Sequence, residues 1–165
     1  MKKSKKKSRK KQRRSQREAE ASLHGAGYWF TSSDLLYCLR AFTQVATSHV
    51  VPLSTLIEIV DGATASGDQW DEPRLFIVNC DPNPTAGYHW VLVIVYVYGG
   101  VFDAHVLDPL KGESSDAPRY GALVKQHLQR PGAVQVLLTT LGWQDDGYRC
   151  GNYSLWAFLM VRVHL

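Results

Sequence analysis

The chain has 165 residues, 45% of them hydrophobic, which is enough for one domain with a sizeable core and too few for two. Residues 1–17 hold eleven of the nineteen Lys and Arg and none of the fifteen Asp and Glu, so residues 18–165 carry a net −7 beneath the overall +4. An acidic body with a basic tail excludes a uniformly basic nucleic-acid-binding domain. Three cysteines, Cys38, Cys80 and Cys150, are too few and too scattered for a disulfide framework, which argues for a reducing compartment. No C-x-x-C or H-x-x-x-H spacing suggests a zinc site, and no cofactor is implied. The longest apolar run, residues 90–98, falls far short of the roughly 20 that a membrane helix needs. The basic tail leads into Glu18 and Glu20 rather than an apolar stretch, unlike a secretory signal. These features predict a soluble, intracellular protein.

Residues 1–22 form the first unit, a basic tail almost without apolar residues that is expected to be disordered. Lysine runs broken by arginine pairs suit a nuclear import receptor, and a phosphate-binding arm for nucleic acid or a plain solubilising tail remain alternatives. Residues 23–165 form the second unit. Thr31-Ser32-Ser33-Asp34 is a helix-start signal, and Leu35, Leu36, Cys38, Leu39, Phe42, Val45 and Ala46 keep a helical period to about Ser48. Residues 52–60 predict a short element of open type, 61–73 a loop, 74–79 a strand and 81–87 a turn-rich loop.

Residues 89–98 and 101–107 are β-branched and aromatic runs separated by Gly99-Gly100, a two-residue hairpin turn. Residues 116–129 predict a helix with Pro118 in its first turn, and 133–139 another strand. Residues 151–163 are apolar nearly all round, which predicts a buried helix. The class is α+β with a mixed sheet.

The hairpin carries a geometric deduction. If Gly99-Gly100 is the turn, paired residues have numbers that sum to 199, and Asp108 comes opposite Val91. His89 lies two residues from Val91 on the same face, so Asp108 and His89 are diagonal neighbours. Asp103 and His105 have the opposite parity. A histidine oriented by a carboxylate is the base half of a catalytic triad. Cys150 falls where a polar turn enters the last helix, and a helix N-terminus favours a thiolate and offers its backbone N–H to an oxyanion. Gln144, ending the preceding strand, supplies a second oxyanion donor. Cys38 and Cys80 read as packing residues.

Taken together, His89-Trp90, Asp108, Gln144 and Cys150-Gly151, with Gly147 between the last two, resemble the papain-like SUMO and ubiquitin-like-protein proteases. That superfamily includes the adenoviral proteinase and bacterial effector deubiquitinases. Trp29-Phe30-Thr31-Ser32 is similar to its Trp-Leu-x-Asp element, and the likeness runs from about Tyr28 to the C-terminus. The resemblance implies an adenain-like fold with Cys150 on a buried helix. It also implies His89, Asp108, Gln144 and Cys150 as catalytic residues, and Trp29, Trp90 and Gly151 against the substrate's Gly-Gly tail. Ser32 and Arg149 depart from the family's acidic residues, and only fifteen residues follow Cys150 where the family has further strands and a helix, so a minimal version or a fragment is expected. The implied activity is thiol-dependent cleavage after the terminal glycine of ubiquitin, SUMO or NEDD8, in the nucleus or a host cytoplasm, with no membrane partner. A viral or mobile-element maturation protease is the alternative substrate class. Effector acetyltransferases share the fold and the Cys–His pair but usually carry Glu in place of Asp108 and lack the His-Trp pair.

Overall fold

The structure is a computed structural model, and it describes residues 30–43, 49–80, 89–110, 120–144 and 149–164. The basic tail, Trp29, Pro118, Gly147 and the loop predicted at 81–87 lie outside the described residues. In chain order the elements are α1 (Ser32–Thr43), β1 (Val50–Pro52), α2 (Leu53–Ser66), β2 (Arg74–Asn79), β3 (Trp90–Tyr98), β4 (Val101–Leu110), α3 (Tyr120–Leu128), β5 (Ala133–Gln144) and α4 (Cys150–His164).

The five strands form one mixed sheet in the order β1-β2-β3-β4-β5, antiparallel at its centre and parallel at both edges. Helices α2 and α3 cover one face, where Leu56, Val60, Val124 and Leu128 pack on Phe76, Val93 and Val106. Helices α1 and α4 cover the other, where Leu35, Leu39, Ala157 and Phe158 pack on Ile77, Trp90 and Leu92. Each fully buried Leu or Phe of this kind contributes about 1.5–3 kcal/mol.

The hairpin forms with the deduced register, from Tyr98 opposite Val101 to Leu92 opposite Leu107. Gly99 (φ 57°) and Gly100 (φ 82°) both take positive φ, the condition of a type I′ turn, whose twist matches that of the strands. At the start of α1, Thr31 and Asp34 form a reciprocal capping box. The Thr31 amide donates to the Asp34 carboxylate at 2.8 Å, and the Asp34 amide to the Thr31 hydroxyl at 3.3 Å.

Two elements outrun their sequence signals. The loop predicted from Asp61 is helical as far as Ser66, because Ala63 extends the buried stripe of Leu53, Leu56 and Val60 and tertiary packing outweighs the weak propensity of Gly62 and Ser66. Gly67, in the left-handed region, ends the helix and donates its amide to the Ala63 and Thr64 carbonyls. Strand β5 continues five residues past Thr139 to Gln144. The last helix begins as predicted but is sided: Leu155, Ala157 and Phe158 are buried, whereas Trp156, Met160 and Val163 are exposed. Its even apolarity conceals this face, which Trp143 partly shares through an edge-on contact with Trp156 at 5.2 Å.

Candidate active site

His89 immediately precedes β3 and is 2% exposed. Its backbone is fixed by the Cys80 amide, which donates to the His89 carbonyl at 3.0 Å. Its Nε2 lies 2.8 Å from Oδ1 of Asp108, on the neighbouring strand β4. That carboxylate takes two further donors, the Leu110 amide at 3.0 Å on Oδ1 and the Gly121 amide at 2.9 Å on Oδ2. Burial would raise the Asp108 carboxyl, but the hydrogen bond and charge of His89, joined by the two amides, outweigh it and hold the group below its ordinary value. Asp108 is therefore an anion that accepts, and Nε2 carries the proton it donates. Nδ1 is the ring nitrogen left for proton exchange with a thiol.

The thiol beside the ring is Cys150, the first residue of α4, whose interaction with His89 is one cause of the shift of that imidazole. Burial alone would lower the imidazole. The bonds with Asp108 and Cys150 and their charges prevail and raise it to about 9. The ring is thus stored as imidazolium. At the start of a helix the first-turn amides lack intrahelical partners, so the Cys150 N–H is available to a developing oxyanion.

The beginning of α4 is docked tightly. The Trp90 indole N–H donates to the Phe30 carbonyl at 2.9 Å, and the Ser154 hydroxyl donates to the Trp90 carbonyl at 2.9 Å. A Cβ at Gly151 would fall 2.5 Å from the Phe30 Cβ and 3.5 Å from the Trp90 ring, so this close approach needs glycine. Trp90 is 1% exposed and Gly151 is buried. Both face the protein interior and seat the helix that carries the thiol.

Gln144 is buried at the end of β5. The register between β4 and β5 runs from Asp108 opposite Thr140 directly to Leu110 opposite Gln144. Two extra residues are accommodated around Gly142, which has φ 67°. The irregularity brings Gln144 beside Leu110, two residues from Asp108.

The other polar candidates sit apart. Asp103 accepts from the Tyr98 hydroxyl at 3.0 Å, and His105 meets the Thr139 hydroxyl at 2.8 Å. Burial pushes the Cys38 and Cys80 thiols up, Cys80 the more strongly, and both are core residues. Among the described residues no cluster of His, Cys, Asp or Glu could hold a metal ion, and no helix is long and apolar enough to cross a membrane. Tyr120 and Gly121, which contact the His–Asp pair, were not foreseen. Their one signal is a glycine inside a helical pattern, often a mark of close backbone approach.

No family model and no curated protein matches the chain. Solved structures do. An AvrA deletion variant with IP6 and CoA aligns with TM-score 0.58 at 18% identity, over 90% of this chain and 59% of that one. HopZ1a in complex with IP6 aligns with TM-score 0.60 at 15% identity, over 88% of this chain and 50% of that one. The Xanthomonas campestris effector XopD bound to ubiquitin gives TM-score 0.42 at 20% identity, over 79% and 72%. The fold is that of AvrA and HopZ1a, and the chain spans between half and three-fifths of their length.

Proposed function

We propose that the chain is a thiol-dependent hydrolase that cleaves the peptide or isopeptide bond after the C-terminal glycine of ubiquitin or a ubiquitin-like modifier. The observation that carries the reading is the buried His89 ring bonded to the Asp108 carboxylate at 2.8 Å, with Cys150 at the start of the helix beside it. In this mechanism the Cys150 thiolate attacks the glycine carbonyl carbon. The oxyanion takes hydrogen bonds from the Cys150 N–H and the Gln144 amide. The His89 imidazolium passes its proton to the departing amine, and a thioester remains on Cys150. Water then attacks the thioester, His89 accepts its proton, and the modifier leaves with a free carboxylate. Trp29, Trp90 and Gly151 are assigned to the Gly-Gly tail. Because Trp90 commits its N–H to Phe30, it would act as an apolar wall. Cys150 is 1% exposed, so the surroundings of the thiol must open before any reagent or substrate reaches it.

A second reading is favoured by one comparison: the AvrA structure contains CoA. The same thiol and base would then accept an acyl group from a CoA thioester and pass it to a protein side chain. The presence of Asp108 and of Trp90 after His89 supports hydrolysis.

The test is a panel of ubiquitin, SUMO and NEDD8 probes with a C-terminal thiol-reactive warhead, run beside radiolabelled acetyl-CoA. The expected result is an adduct with at least one modifier that disappears in Cys150→Ala. Label from acetyl-CoA on Cys150 with no probe adduct would favour the second reading. Labelling that survives in Cys150→Ala would remove the nucleophile from both.

A further inference from the structure

The first turn of α3 touches both members of the His–Asp pair. Tyr120 stacks on His89, with ring centroids 5.0 Å apart and planes 25° from parallel. The next residue, Gly121, donates its amide to Asp108 Oδ2 at 2.9 Å. A Cβ at Gly121 would fall 2.6 Å from that oxygen and 2.8 Å from Leu138, so the helix approaches as closely as glycine alone permits. One hydrogen bond along an edge leaves an imidazole free to rock about its side-chain torsion. Contact across its face removes that freedom, and an aromatic face also attracts a protonated ring.

We propose that Tyr120 is a positioning residue, whose ring, placed by the Gly121 contact with Asp108, fixes the plane in which His89 meets Cys150. This rests on the assignment of Cys150 and His89 as nucleophile and base. The carboxylate holds the ring by its edge, the Cys80 amide holds its backbone, and Tyr120 holds its face. Because Tyr120 and Gly121 are consecutive, one helical turn sets the heights of both partners, and the small negative end of the pair lies at the positive end of α3. The stack adds no reacting group. Its effect is on how often the imidazole points at the thiol.

The experiment follows two signals in the full chain that need no substrate: alkylation of Cys150 by iodoacetamide, and titration of the His89 ring by NMR. Tyr120→Leu should slow alkylation about five- to tenfold, the weight of one aromatic pair, while Tyr120→Phe stays within about twofold of the parent. The His89 midpoint should fall in Tyr120→Leu, which loses the aromatic face beside the protonated ring, and return in Tyr120→Phe. Unchanged alkylation and midpoint in Tyr120→Leu would overturn the proposal. So would a Phe variant no better than Leu, which would transfer the effect to the hydroxyl. If Tyr120→Leu fails to fold, Tyr120→Met supplies a long ringless side chain on the same helix and is held to the same outcomes. Should Cys150→Ala be alkylated at the parent rate, the nucleophile assignment fails, while the His89 midpoint still decides the role of Tyr120.

Discussion

The base and the nucleophile reach the site through two different kinds of scaffolding. His89 and Asp108 hang on a regular hairpin, closed by two glycines and paired without interruption from Leu92 to Tyr98. Gln144 and Cys150 come from a strand with a register shift and from the start of a helix seated on Phe30 and Trp90. The first arrangement is local, since nineteen residues separate its partners and one turn sets their register. The second depends on contacts between distant segments, such as the Trp90 indole with Phe30, sixty residues away. Regular pairing specifies a position by counting, whereas a bulge specifies it by where the chain departs from regularity.

The sharpest test of the comparison is removal of one partner from each half. His89→Ala should depress probe turnover as far as Cys150→Ala does, by about 10⁴-fold or more, because triad members act as a unit. A residual rate in His89→Ala well above that of Cys150→Ala would separate the halves. Asp108→Asn should cost less, roughly 10²- to 10³-fold in turnover, since the remaining side-chain oxygen can still accept from the Leu110 amide although the Gly121 amide loses its acceptor. Asp103→Asn, made in parallel, should leave turnover near the parent value. A large loss at Asp103 with none at Asp108 would contradict the catalytic use of this register.

The irregular half has its own probe. Gln144→Ala should lower turnover about 10²-fold with little change in KM, the scale of one lost oxyanion donor. Gly142→Val, which forces a branched residue to φ 67°, should lose about tenfold by moving Gln144 without touching it. Full turnover in Gly142→Val with the Gln144→Ala loss intact would mean the bulge does not position Gln144.

Acidity probes the hairpin without a substrate. The folded state holds the His89 proton more tightly than the ordinary value of 6.5, so its stabilisation is present in full below that pH and disappears as pH rises through about 9. Urea midpoints of the parent should therefore fall over this interval relative to His89→Gln, and parallel curves would dissolve the pairing. The smallest effect is expected from deleting residues 1–17, which supply no member of the site. Turnover of a soluble probe should stay within about twofold at physiological salt, where charges are screened beyond about 8 Å. Loss of most activity would join the tail to the active structure.

The same contrast explains what the sequence made legible. The β-branched and aromatic runs on either side of Gly99-Gly100 set the hairpin pairs, and a polar turn before an apolar run marked the start of α4. By contrast, the extension of β5 to Gln144 depends on Gly142, which in sequence resembles a terminator as much as a bulge. The continuation of α2 past Asp61 is decided by the burial of Ala63, a tertiary contact. The open face of α4 has no sequence mark, because Trp156 and Met160 are as apolar as buried Phe158. Tyr120 is hidden for a similar reason: whether a tyrosine at a helix start stacks on a particular imidazole depends on how that helix crosses the sheet.

The two edges of the sheet manage self-association differently. At one side β1 is three residues long and ends in Pro52, which has no N–H to offer another strand. At the other, β5 runs for twelve residues with Val134 and Leu137 exposed, a length that would template a second chain if it were flat. Its register shifts fall near Val134 and Gly142, toward either end, and each shift twists the strand and breaks the even row of backbone groups. Straightening β5 to improve its pairing with β4 would therefore make the protein more prone to aggregate.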